Sequence, residues 1–255
     1  MADQVVIVTG ASRGLGAAAA RILAEMGARV VLNARSEGPL LTLVDEIRAA
    51  GGQAAAVRGD VSDPATCRAI VETALDRFGR LDALINNAGI IEPIAPLAEA
   101  EGAAWARNLA INVIGPALLT AAALPHLRAQ AGRVINVSSG AALNPVSGWG
   151  AYCAAKAALN QFNAVLALEE PQITAIAFRP GVVDTGMQTA IRRDGAGKMA
   201  ADEHARFVKY FEQGELLPPE QPGRALAALA LYAPHDWSGE FIRWNEERVA
   251  ALLVD

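Results

Sequence analysis

Six short runs rich in Val, Ile, Leu and Ala recur along the chain, at residues 4–9, 29–33, 53–58, 81–86, 133–138 and 173–178. Most of them are bounded by Gly, Pro or Asp. Between them lie longer, Ala-rich stretches at 15–26, 39–50, 64–78, 105–130 and 152–169, whose composition suits helices. A strand that is apolar along its whole length, rather than at alternate positions, is buried on both faces. Such strands alternating with helices predict an α/β fold with a parallel sheet covered on both sides. Right-handed crossovers then make it doubly wound. Beyond Pro180-Gly181 the pattern changes: residues 186–217 are polar, hold Gly195, Gly197 and Gly214, and contain no strand-like run. An excursion of that length predicts a lid over a concave site, with an ordinary solvated segment as the alternative. A helix at 219–233 and a strand at 241–244 close the chain. No repeat or linker divides it, so residues 1–255 read as one domain.

Composition narrows the classes of function. Hydrophobic residues make up 53% and charged residues 19%, too apolar for a disordered chain. Lys plus Arg number 22 against 27 Asp plus Glu, a net charge of −5 with no dense basic block. Neither a nucleic acid nor an anionic membrane is therefore an expected partner. Cys67 and Cys153 are too few for a disulfide framework, and His126, His204 and His235 are scattered, so no metal site is expected. Residues 108–127 carry no charge, yet Asn108, Asn112, Pro116 and Pro125 interrupt them between Arg107 and Arg128. A buried helix is the better reading than a membrane span. The start, Met1-Ala2-Asp3-Gln4, runs straight into the first strand without a basic leader or cleavage site, so a cytoplasmic location is expected.

Candidate chemistry begins where the first strand ends, in Thr9-Gly10-Ala11-Ser12-Arg13-Gly14-Leu15-Gly16. Glycines between a strand and a helix allow a sharp turn and let backbone approach a pyrophosphate, which the helix N-terminus then attracts. The spacing is G-x-x-x-G-x-G, not the commoner G-x-G-x-x-G. At the end of the second strand, where an NAD site places an acid on the ribose, stand Ala34 and then Arg35. Arg35, with Arg13 in the glycine turn, suits the 2′-phosphate of NADP. Glu37 remains the alternative, as a displaced ribose-binding acid. Ser138-Ser139 ends the fifth strand, and Tyr152 and Lys156 share one face of the next helix at i and i+4. A phenol titrates near ~10, and a neighbouring ammonium is expected to draw that value down toward neutral pH. Trp149 is placed in the substrate pocket, with packing of the helix start as the alternative; Cys153 is read as packing.

Seven features occur together: TGASRGLG at 9–16, Asp60-Val61, NNAG at 86–89, Asn112, Ser139, YCAAK at 152–156 and Pro180-Gly181. Carrying them in this order, with Ser139 lying 13 residues before Tyr152, the chain resembles the short-chain dehydrogenase/reductase family over almost its whole length. The resemblance implies a single Rossmann-type domain that binds a dinucleotide and carries catalysis. Gly10, Ser12, Arg13, Gly14, Leu15, Gly16 and Arg35 would then hold the phosphates. Asp60 and Val61 would face the adenine, and Asn87, Ala88 and Gly89 the ribose side. Pro180, Gly181, Val183 and Thr185 would hold the nicotinamide. Asn112, Ser139, Tyr152 and Lys156 would be catalytic, with Tyr152 and Lys156 also touching the cofactor and Asn112 completing a water-linked proton relay. Stretches at 149–159, 165–170 and 179–188 are similar to the branch with sepiapterin reductases and fungal benzil reductases. The pterin-anchoring acid of the former, expected after Ser238-Gly239, is replaced by Arg243.

The expected activity is reduction of a ketone or diketone with NADPH as cofactor, in a homodimer or homotetramer, with a small carbonyl compound as substrate. An NAD(P)-linked alcohol dehydrogenase working oxidatively and a non-catalytic NADP-binding sensor are the alternatives.

Overall fold

The computed structural model describes residues 3–253, so Met1 and Ala2 of the Met1-Ala2-Asp3-Gln4 start lie outside the described residues. The strands are Val5–Thr9 (β1), Arg29–Ala34 (β2), Gln53–Arg58 (β3), Ala83–Asn86 (β4), Arg133–Val137 (β5), Thr174–Arg179 (β6) and Phe241–Arg243 (β7). All pair in parallel, in the order β3-β2-β1-β4-β5-β6-β7. The helices are Gly14–Glu25 (α1), Glu37–Ala49 (α2), Pro64–Phe78 (α3), Gly102–Leu109 (α4) and Gly115–Arg128 (α5). Gly150–Glu169 (α6), Gly186–Asp194 (α7), Ala201–Glu212 (α8), Glu220–Tyr232 (α9) and Glu247–Ala251 (α10) follow. This is the expected doubly wound parallel sheet.

Successive side chains of a strand point to opposite faces, and β1 shows how that fills two cores. Val6 and Val8 pack with Leu23 of α1, Leu43 of α2 and Leu226 of α9. Val5 and Ile7 pack on the other side with Ile70 of α3, Leu119 of α5 and Leu166 of α6. Each such aliphatic side chain contributes about 1.5–3 kcal/mol relative to leaving it in water. Local signals set the helix ends: Asp63 caps α3 by accepting from the amides of Ala65 (3.0 Å) and Thr66 (3.3 Å), and Pro64 takes the first helical position.

Three expectations are corrected. The helix expected at 105–130 is not one α-helix but α4, then a π-helical turn at Ala110–Ile114 around Asn112, then α5. Asn112 Nδ2 donates to the Asn108 carbonyl (3.1 Å), the acceptor that the Asn112 backbone N–H would use in an α-helix. The side chain thus displaces the backbone bond, and the ladder slips. By length and composition the run Gly102–Arg128 could cross a membrane; here α5 lays Leu119, Ala123 and Leu127 against α3 and the sheet. Residues 186–217, which show no regular pattern in the sequence, form α7 and α8, with a bridge between Val183 and Leu217 pinning the ends together. The fourth strand starts at Ala83 rather than 81; just before it the Asp82 carboxylate accepts from the Val5 amide (2.8 Å) and from Arg80 (2.6 Å).

Candidate active site

The sheet order reverses direction between β1 and β4, and a crevice opens beyond the carboxyl ends of the strands at such a switch point. Here it is a cleft of about 900 Å³. Lining it are Gly10, Ser12, Arg13, Gly14, Leu15, Gly16, Arg35, Asp60, Val61, Asn87, Ala88, Gly89, Ser139, Tyr152, Lys156, Pro180, Gly181, Val183 and Thr185. Of the residues assigned from the sequence to catalysis or cofactor binding, leaving aside the alternative acid Glu37, Asn112 alone does not line the cleft; it is fully buried behind it.

The glycine turn forms one wall. Gly10 has φ +64, a conformation that side chains resist, and a Cβ there would fall 2.9 Å from the Ala88 backbone. A Cβ at Gly16 would fall 2.5 Å from the Gly10 carbonyl and the Asn87 amide. Asn87 Nδ2 donates to the carbonyls of Thr9 (2.8 Å) and Gly10 (3.3 Å), while Thr9 Oγ1 accepts from the amides of Asn87 and Ala88, both at 3.0 Å. The side chain of Asn87 therefore clamps β1 to β4, and its backbone shapes the cleft. No side chain caps the start of α1, so its first amides remain available to an anion. A turn too tight for side chains, next to an uncapped helix, fits a dinucleotide pyrophosphate.

Ala34 and Arg35 lie at the rim of the cleft, Arg35 exposed. Arg13 is also exposed, and a Cβ on Gly186, at the start of α7, would meet its guanidinium at 3.6 Å. Glu37 pairs with Arg58 (3.2 Å) and lies outside the cleft lining. The structure thus places the cation in the cleft and the alternative acid beside it. Asp60 is held by Arg107 and Ser62; burial works against its charge, but these bonds bring its pKa down to about 2.

At the inner end, α6 delivers Tyr152 and Lys156, which are 6% and 4% exposed. Lys156 Nζ donates to the Val137 carbonyl at the end of β5 (2.8 Å) and lies 5.6 Å from the centre of the Tyr152 ring. Burial lowers the Lys156 ammonium to about 8, so it remains mostly charged at neutral pH. Burial pushes the Tyr152 phenol up to about 12, against a partial offset from Ser139. The expected downward shift is therefore not found, because withdrawal from water outweighs the hydrogen bond with Ser139, the one contact that lowers the value. Ser139 caps a short 3₁₀ turn, and its Oγ accepts from the Ala141 amide (3.1 Å). Asn112 reaches the same place from behind: a Cβ on Gly89 would lie 2.8 Å from Asn112 Oδ1 and 3.7 Å from Lys156 Nζ.

The outer wall at this end was legible only in part. Trp149 is buried (6% exposed), lines the cleft, meets Tyr152 edge-on at 5.8 Å and stacks on Phe207 at 5.0 Å. Phe207 and Tyr210 come from α8, the segment whose helical character was missed, and Met187 from α7. The aromatic spacing of i and i+3 in 207 and 210 was the available signal. Cys153 packs in this cluster beside Val146. Arg243, in the place of a pterin-binding acid, is exposed on β7 outside the cleft lining, while Ser238 accepts from the Ala175 amide (3.0 Å) and donates to the Ile173 carbonyl (3.2 Å). That corner braces the sheet.

Residues 4–196 match the family described as short chain dehydrogenase. The chain is 34% identical over 262 residues to an (S)-benzoin-forming benzil reductase of Saccharomyces cerevisiae, covering 98% of this chain and 98% of that protein. A crystal structure of a short-chain dehydrogenase/reductase from Saccharomyces cerevisiae superposes with a TM-score of 0.93 at 36% identity, over 98% of this chain and 99% of that one. A protein described as an NAD(P)-dependent gluconate 5-dehydrogenase from Beutenbergia cavernae, solved with NADP at low occupancy, superposes with a TM-score of 0.83 at 29% identity, over 96% of each chain. The parallel sheet, the glycine turn at its switch point and the Ser139, Tyr152 and Lys156 constellation are thus those of an oxidoreductase, and the chain belongs to the short-chain dehydrogenase family.

Proposed function

We propose that this protein is an NADPH-dependent carbonyl reductase whose substrates are ketones or diketones with apolar, benzil-like substituents. One observation carries the reading: Ser139, Tyr152 and Lys156 converge at the inner end of a cleft walled by Trp149, Phe207 and Tyr210. Bound in this cleft, NADPH would supply a hydride to the carbonyl carbon. The chain's residues have the remaining work. Gly10, Ser12, Gly14, Leu15 and Gly16 hold the pyrophosphate against α1. Arg35 and Arg13 neutralise the 2′-phosphate. Asn87, Ala88, Gly89, Pro180, Gly181, Val183 and Thr185 enclose the ribose and amide. Ser139 donates to the substrate oxygen and orients it. Tyr152, whose proton is firmly held at neutral pH, gives that proton to the oxygen as negative charge develops there. Lys156 keeps a positive charge beside the phenolate that results. Asn112 anchors the water-linked path by which the proton is replaced.

The benzil reductase among the relatives supports an aryl diketone, and the aromatic wall supports it independently, since aromatics make up only 5% of the chain. Exposed Ile114, Val165 and Leu168, on the α5 and α6 side, support a homo-oligomer. Purified protein should oxidise NADPH in the presence of benzil and related diketones, at a higher kcat/KM than with NADH. Absence of turnover across a panel of aryl and alkyl diketones, with either cofactor, would sink the reading.

We infer further that α7 and α8 close over the substrate, because Phe207, Tyr210 and Met187 reach the cleft from a segment pinned at Val183 and Leu217. Hydrogen exchange across 186–217 should slow when NADPH and an inert ketone analogue are both bound. Equal exchange with and without them would show that this segment is no lid.

A further inference from the structure

The mouth of the cleft holds a closed polar ring around Asp60, the residue the family resemblance turns toward the adenine; its other members, Arg107 and Ser62, have no role above. Arg107, on α4, donates through Nη2 to Asp60 Oδ2 and through Nη1 to Ser62 Oγ (3.0 Å). Ser62 in turn donates to Asp60 Oδ1 twice, through its amide (2.9 Å) and its hydroxyl (2.7 Å). Asp60 and Arg107 both line the cleft, and their side chains are 27% and 43% exposed. An ion pair this exposed adds little to stability, so its place at the cleft is the informative fact. An ionised carboxylate has about four acceptor positions, two on each oxygen. Both positions on Oδ1 are taken by Ser62 and one on Oδ2 by Arg107, which leaves a single acceptor position on Oδ2.

We propose that Arg107 is a positioning residue for base recognition: it fixes Asp60 so that the one free acceptor position receives the 6-amino group of the cofactor's adenine. The fork matters to this role. A guanidinium has several donors in a fixed plane, so one side chain can hold Asp60 and Ser62 together; a lysine ammonium is a single point of charge. Ionisation of Asp60 is secured as well, since its hydrogen bonds hold its pKa down to about 2. An ionised acceptor discriminates strongly between bases. Adenine presents an N–H donor at its 6-position, whereas hypoxanthine presents a carbonyl oxygen, which a carboxylate repels.

The proposal rests on the reading of this cleft as the dinucleotide site, and its test is a binding measurement that needs no turnover. Dissociation constants for NADPH and for its hypoxanthine analogue would be measured by calorimetry on the wild type and on Arg107→Gln. NADH and its hypoxanthine analogue would be measured in parallel. The wild type should bind the adenine cofactors about tenfold or more tightly than the hypoxanthine ones. Arg107→Gln should bring that ratio below about threefold, by weakening the adenine cofactors while leaving the hypoxanthine ones within about twofold. Arg107→Lys, which keeps the charge without the fork, should fall between the two, and it serves in place of Arg107→Gln if that variant does not fold. An equal loss for both bases would reduce Arg107 to a structural or purely electrostatic part. A wild type that does not discriminate would remove the adenine contact altogether. Preference for NADH, or failure to reduce diketones, would overturn the proposed function while leaving the base ratio readable.

Discussion

Replacing Tyr152 by Phe should lower turnover at least ~10²-fold, the lower end of what general acid catalysis supplies, while leaving NADPH affinity within a few-fold. The substitution removes the hydroxyl and keeps the ring, so the edge-on contact with Trp149 and the fit within the buried cluster are retained. Folding is thus little affected, and a loss of rate reports on the proton. The direction of the Tyr152 shift strengthens the assignment in the reductive direction. Burial pushes the phenol up to about 12, which keeps the proton in place across the working range and leaves Tyr152 an acid rather than a base. Lys156 sets the upper limit of that range. Burial lowers its ammonium to about 8, so as pH rises through that value the charge that offsets the forming phenolate is lost. The kcat/KM for reduction should therefore be highest below about pH 8 and decline above it. Steady-state kinetics on a diketone, together with fluorescence titration of NADPH, separate the two effects of the substitution. Near-normal turnover in Tyr152→Phe would rule Tyr152 out as the proton donor.

Much of the fold was legible because parallel strands buried on both faces leave little ambiguity. Runs such as Val5–Thr9 and Arg29–Ala34 are buried along nearly their whole length, and no amphipathic helix needs that pattern. Segments whose structure depends on partners were not legible. The helices α7 and α8 are polar on most faces and bury few groups, chiefly Gln188, Ala190 and Ile191 in the first and Phe207 in the second. Their sequence resembles solvated loop because most of it is solvated. The π-helical turn was hidden for another reason. The interruption at Asn112 was expected, but its form depends on Asn112 and Asn108 bonding to each other (2.9 Å) and on both donating to the Ile90 carbonyl, which another loop supplies.

The site divides along the same line. Groups carried on motifs of fixed spacing, the glycine turn and Tyr152 with Lys156, fall where the sequence puts them, because one helix or one turn sets their geometry. Phe207, Tyr210 and Arg107 come to the cleft from elements distant in sequence from the motifs, so even the i and i+3 spacing of the two aromatics does not say which site they reach. The Tyr152 pKa was misjudged for a related reason: charge proximity can be read from i and i+4, but the depth of burial cannot. At a nearly closed site, burial decides the sign.

Cofactor choice is where one side chain should have the largest effect on selectivity. A 2′-phosphate brings up to two negative charges to the end of β2, where Ala34 leaves no acid to repel it and Arg35 lies on the cleft rim. Charge-assisted hydrogen bonds are worth roughly 1.5–3 kcal/mol, and ~1.4 kcal/mol corresponds to a tenfold change in affinity. Arg35 is exposed, so solvent screening places its expected effect at the lower end of that range. Arg35→Ala should accordingly raise KM for NADPH about tenfold while leaving KM for NADH nearly unchanged, since NADH lacks the group the guanidinium holds. Arg13 shares the same phosphate in the proposed complex, so its removal should not simply add to that loss. Introducing Ala34→Asp together with Arg35→Ala should go further, because a carboxylate there repels the phosphate and accepts from the ribose hydroxyls. The measurement is the ratio of kcat/KM for NADPH to that for NADH in the wild type and both variants, at fixed ionic strength. It should stand above one in the wild type, fall by about an order of magnitude in Arg35→Ala, and invert in the double variant. A wild-type ratio below one would overturn the assignment and point back to Glu37, which would then have to leave Arg58 and turn toward the ribose.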